Sequence, residues 1–143
     1  MILLRIGALH WFVFVTKDVL DFLNDWGRAK QPKVSMASLL INSVPLGGPQ
    51  EGNPIVCKPV AGSEGLFYFR KGKTHGEKVR VFWFYGDEGR RHIVCVRGCV
   101  KTQRRLDPGE IKLAQMARSA YAVAVSKDDL SIQDGVPALR RKQ

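Results

Sequence analysis

Arginine recurs at strand spacing in the second half of the chain. Arg70, Arg80 and Arg97 each sit in or beside a run of β-branched and aromatic residues, and Lys101 continues the parity of Arg97. A guanidinium presents a planar fork of donors that fits phosphate oxygens, so arginines gathered on a sheet face make a site for a phosphodiester. Lys71, Lys73 and His75 lie in the turn between the first two runs, and Arg104 and Arg105 follow the third. From Arg70 to Arg118 the chain holds 13 Lys+Arg against 5 Asp+Glu, which is most of its net charge of +10. Cations on an ordered sheet, rather than on a floppy tail, point to a polyanion such as RNA or DNA. The basic balance alone also suits proteins that never meet nucleic acid.

Three strands must position these side chains. They are expected at Leu66 to Arg70, Val79 to Tyr85 and Arg91 to Val100, joined by polar, glycine-containing turns short enough to imply antiparallel neighbours. Strict alternation places Leu66, Tyr68 and Arg70 on one side of the first, Arg80, Phe82 and Phe84 on one side of the second, and Ile93, Cys95 and Arg97 on one side of the third. Where those sides coincide, Arg70, Arg80 and Arg97 converge and project from an open sheet face. The alternative for any one arginine is a stem lying along a sheet edge with its head in water. Asp107, Pro108 and Glu110 open a final helix, with Asp107 as its N-cap and Pro108 in its first turn.

Upstream, a strand is expected at about His10 to Val15, with residues 1–9 either extending it or forming a leader outside the fold. Amphipathic spacing gives a helix over Lys17 to Trp26, closed by Gly27, and Pro32 opens a second helix running to about Ser43. The two form a hairpin against the sheet. Pro45 to Pro54 reads as a loop; it lacks the lysine and hydroxyl of a phosphate-binding P-loop. The stretch after Lys127, with Gly135 and Pro137, reads as a mobile tail.

At 143 residues, with 45% hydrophobic and 25% charged side chains, the chain fits one globular domain, 1–143, with a core over about 10–125. Cys57, Cys95 and Cys99 are an odd set with no disulfide framework, as in a reducing cytoplasm. On an extended strand the sulfurs of Cys95 and Cys99 lie roughly 13 Å apart, too far to share one ion, and buried core cysteine is the better reading. The first fifteen residues lack a small-residue cleavage site and are too short to span a bilayer, so no membrane association is expected.

The runs GLFYFR, VRVFWFYGD and RRHIVCVRGCVKTQRRLDPGEIKLAQMARSAY together resemble the phage-derived Gp49-like, HigB-type branch of the RelE/ParE toxin superfamily over about Val56 to Tyr121. The resemblance implies an α+β fold, with an N-terminal strand and two-helix hairpin on an antiparallel sheet, basic residues on its other face, and a C-terminal helix. It also implies a small cytoplasmic toxin that cleaves messenger RNA on the ribosome without metal or cofactor and is silenced by a cognate antitoxin from an adjacent gene. Arg80 matches the family's second-strand arginine, Arg70 its first-strand arginine and Lys101 the first lysine after the third strand. The chain departs from the pattern at Tyr68, where glutamate is common, at Cys99, where phenylalanine is, and at Thr102, where a second lysine is frequent. First-strand lysines of the best-studied members are replaced here by Leu66 and Tyr68, and the only later tyrosine is Tyr121.

Cleaving RNA requires the 2′-hydroxyl aligned with phosphorus, charge stabilised on the transition state, and two proton transfers. Arg80 backed by Arg70 suits the charge. Lys101 is either the base or a further phosphate contact, and His75 is either the acid or an exposed turn residue without a role. Arg97, Arg104, Arg105, Lys71 and Lys73 are candidate RNA contacts, with a solvated charge run the alternative for Arg104 and Arg105. Two other classes stay open: a ParE-like gyrase inhibitor that cleaves nothing, and a non-catalytic nucleic-acid or protein-binding module.

Overall fold

The computed structural model describes residues 1–72, 76–86 and 90–136. The most apolar run, Lys78–Tyr85 (β5), is buried from Val79 to Phe84. A strand apolar on both sides needs cover on both sides. β5 pairs antiparallel with Phe67–Gly72 (β4) and with His92–Lys101 (β6), each within two residues of the span expected.

The sheet is larger than the sequence reading gives. Ile2–Ala8 (β1), Phe12–Val15 (β2), Cys57–Pro59 (β3) and Ser131–Asp134 (β7) extend it to seven strands in the order β3-β4-β5-β6-β2-β1-β7. It is mixed, not antiparallel: β2 runs parallel to β6, and β7 parallel to β1. In both parallel pairs the partners lie far apart in the chain, with helices and strands between them, as parallel neighbours require.

Residues 1–9 therefore belong to the fold. Leu3 and Ile6 are buried on opposite faces of the sheet, as alternation places residues three apart on a strand. Gly7 lets the strand pass beneath the next element: a Cβ there would lie 2.5 Å from Pro45 Cγ and 2.8 Å from the Leu40 carbonyl. The segment expected as a tail returns to the sheet at β7. Ser131 N–H donates to Met1 O (2.9 Å) and Gly135 N–H to Arg5 O (2.9 Å), satisfying an edge that β1 would otherwise leave open. Residues 137–143 lie outside the described part.

Two helical layers cover the sheet. On one face lie Lys17–Asn24 (α1) and Lys30–Ser38 (α2), the expected hairpin, over a core of Val13, Val15, Leu23, Met36, Phe69, Val81 and Trp83. Thr16 caps α1 by accepting from Val19 N–H (3.3 Å). The helix stops two residues before Trp26 because Asp25 turns extended, where its carbonyl accepts from the buried Lys33 Nζ at 2.6 Å. The second helix continues past Ser38 through a π-helical turn, Leu39–Ser43, into Val44–Gly47 (α3). Pro45 fits the first turn of α3, where no N–H is needed, so the loop begins later than expected.

On the other face Pro108–Ser126 (α4) packs over Leu66, Phe82, Phe84, Val94 and Val96. Asp107 caps it, accepting from Gly109 N–H at 2.8 Å. No described helix is long and apolar enough to cross a membrane.

Candidate nucleic-acid interface

α4 packs on β5 and β6, and the same face of these strands carries the cations. Three rungs cross it. Lys58 of β3 stands opposite Tyr68, which faces Phe82, which faces Arg97. Arg70 stands opposite Arg80, which faces Cys99. Gly72 stands opposite Lys78, which faces Lys101. The structure thus brings Arg70, Arg80, Arg97 and Lys101 onto one face, as the sequence suggests, but by a different route in β6. The β5–β6 register shifts between Phe82 and Trp83, placing Trp83 opposite Cys95 and Phe82 opposite Arg97. The extra residue, Val96, breaks the alternation. Ile93 and Cys95 consequently pack with α1 and α2, whereas Cys99 joins the α4 side. Gly98 faces α1 so closely that a Cβ would lie 2.3 Å from the Phe22 ring.

Arg80 does not project into solvent. It is only 3% exposed, and its Nη1 donates to the carbonyls of Val79 (2.9 Å) and Lys71 (3.2 Å). Its Nε is buried without a partner, as is that of Arg70, whose Nη1 donates to the Pro54 carbonyl. Among the described residues no carboxylate forms an ion pair with Lys58, Arg70, Lys78, Arg80 or Lys101. Burial first, and then the neighbouring Arg70, lower the pKa of Arg80. An arginine remains charged under such a shift, so the site keeps a desolvated, uncompensated cation. Lys101 is pushed below its usual value by partial desolvation and then by Arg80, Lys78, Arg70 and Lys58. Like charges directly opposite one another destabilise a sheet, and charges left without a counter-ion mark a place for a ligand of opposite sign.

The remaining expected residues divide. Arg97 is committed: its Nε and Nη2 hold Glu110 in the first turn of α4 at 2.5 and 3.1 Å, and this bond raises its pKa. Arg104 and Arg105 are exposed in the β6–α4 connection. A concavity of about 100 Å³ opens beside them, lined by Cys99, Lys101, Thr102, Arg105, Asp107 and Glu110. Lys71 falls on the opposite face by alternation and lines a separate groove of about 590 Å³ with Lys30, Ser35 and Gly76. His75 and Lys73 lie outside the described residues. His92 packs on Phe12 and Phe14, ring centroids 5.4 and 4.9 Å away.

Burial raises the Cys57 and Cys99 thiols to about 11 and holds Cys95 higher still. No group of three His, Cys, Asp or Glu side chains among the described residues is placed to hold a metal.

No protein-family model, curated protein or solved structure matches this chain. The cationic site therefore rests on geometry. Lys58 and Lys78 are members that sequence reasoning missed. The parity of Lys78 with Arg80 carried the signal for one; for Lys58 there was none, because β3 is three residues long and bounded by loops.

Proposed function

We propose that this chain is an RNA-directed endoribonuclease of the toxin type, which binds a single-stranded phosphodiester over Arg70 and Arg80 and cleaves it without metal. The observation that carries this reading is the cross-strand pair of arginines with no counter-ion among the described residues, one of them almost wholly buried. Keeping such a pair is costly to the fold, and an anion with several acceptor oxygens offsets that cost. A helical hairpin ahead of the basic strands and a capped helix after them, in an α+β chain, support the same reading.

In the reaction, the 2′-oxygen bonds to phosphorus as the bond from phosphorus to the 5′-oxygen breaks. The products carry a 2′,3′-cyclic phosphate and a 5′-hydroxyl. Arg80 and Arg70 take up charge on the non-bridging oxygens, where oriented donors act most strongly. Lys101, one rung from the pair and with a depressed pKa, takes the 2′-proton, and the 5′-oxygen takes one from solvent. In the cell the substrate is messenger RNA on the ribosome, and a cognate antitoxin masks the cationic face with acidic side chains.

Purified protein incubated with single-stranded RNA and ribosomes in EDTA should yield fragments with those end groups, and expression should produce new 5′ ends within coding regions. RNA that is bound but left intact would mark a non-catalytic binding module. Intact messengers together with induced DNA breaks would mark a gyrase inhibitor.

A further inference from the structure

We infer that Tyr68 is a third ligand of the bound phosphate, its phenolic O–H donating to a non-bridging oxygen of the phosphodiester held by Arg70 and Arg80. The inference rests on the reading of that pair as a phosphate site. Tyr68 shares the face of Arg70 two residues along β4, and it stands opposite Phe82, the residue two positions from Arg80 on β5. This is the diagonal cross-strand relation, about 7–8 Å between backbones, which long side chains span.

The ring is anchored on its apolar side. Its centroid lies 6.0 Å from that of Phe82, and it packs at the edge of the cluster beneath α4. No hydrogen bond to a described residue engages its hydroxyl, which is open to solvent on a half-buried side chain. It lies within electrostatic range of the Arg80 guanidinium. A tyrosine with a fixed ring and an unused hydroxyl beside two uncompensated guanidiniums has the geometry of a neutral donor to the same anion. It adds a directed hydrogen bond where a further cation would add repulsion. Tyr68 thus marks the border between the apolar cluster beneath α4 and the cations of the same face.

The test is the affinity for a fluorescently labelled single-stranded RNA oligonucleotide across a range of salt concentrations. Tyr68→Phe removes the hydroxyl and keeps the ring on Phe82, so melting of the free protein should be unchanged. Affinity should fall roughly tenfold, the scale of one hydrogen bond to a charged group. The slope of log affinity against log salt should stay as in the unsubstituted chain, because a neutral donor displaces no counter-ion. Arg80→Met, measured beside it, should lose affinity and about one phosphate's worth of slope.

Wild-type affinity in Tyr68→Phe, with binding lost in Arg80→Met, would overturn the role of Tyr68 and leave the arginine site standing. A Tyr68→Phe loss accompanied by a flatter salt slope would also overturn it, because the hydroxyl would then be acting through the charges. Wild-type affinity in Arg80→Met would remove the phosphate site itself.

Discussion

Arg97 and Arg80 stand on the same sheet face, one rung apart across β5 and β6, and they live under opposite electrostatics. Arg97 sits where α4 crosses the sheet and holds Glu110 through two hydrogen bonds, so its charge is matched and its pKa raised. Arg80 sits beyond the end of that helix, more deeply buried than Arg97, with carbonyls for partners, Arg70 opposite, and its pKa lowered. The first arginine ties two elements together. The second has no carboxylate partner among the described residues, and on the proposed reading the difference separates a structural arginine from a ligand-binding one.

Breaking the contrast at Arg80 should give the largest effect. Arg80→Met keeps the stem's packing and removes the charge, so affinity for RNA should fall by a hundredfold or more, the range for an oriented charged contact. The same change should leave thermal stability equal or raised, because an apolar replacement of a buried, unmatched charge is neutral or stabilising. A lower melting temperature in Arg80→Met would make Arg80 a structural residue. Arg80→Ala is a poorer probe, since at 3% exposure the truncation also leaves a cavity.

At Arg97 the expectation reverses. Glu110→Gln strips the counter-ion from a half-buried guanidinium and should lower stability by about 1–2 kcal/mol, a few degrees in melting temperature, after allowance for its partial exposure. Affinity for RNA should rise severalfold, because a released cation joins the others of that face. A stable variant with unchanged affinity would erase the distinction between the two arginines.

The smallest effect concerns pH. The folded pKa of Lys101 lies below its ordinary 10.5, so between the two values the unfolded chain binds more protons and stability should rise with pH in that window. Affinity should fall over the same window, severalfold, as Lys101 loses its charge. Lys101→Arg should abolish that fall, which a titration of RNA binding from neutral pH to pH 10 would detect.

Much of this arrangement was legible in the chain. β4, β5 and β6 declare themselves by β-branched and aromatic runs between glycine-containing turns, and α4 by Asp107 and Pro108, because those signals are local. The convergence of Arg70 with Arg80 follows from alternation across an antiparallel turn. By contrast, β1 and β7 pair residues at the two ends of the chain, a contact with no local signature, and β3 is too short to carry a pattern. The helical run through Pro45 was hidden because a proline in the first turn of a new helix looks, in sequence, like a helix breaker.

By itself, then, the sequence determined where the cations lie along the chain and which strands carry them, since strand periodicity and capping depend on neighbouring residues alone. Tertiary structure decided which cations are free. The extra residue at Val96 turns Arg97 and Cys99 toward α4 and leaves Cys95 beneath α1 and α2. The landing point of α4 then assigns Glu110 to Arg97 and leaves Arg80 without a carboxylate among the described residues. A bulge and a helix docking position are set by packing between distant segments, and counter-ions go to whichever charges that packing brings within reach.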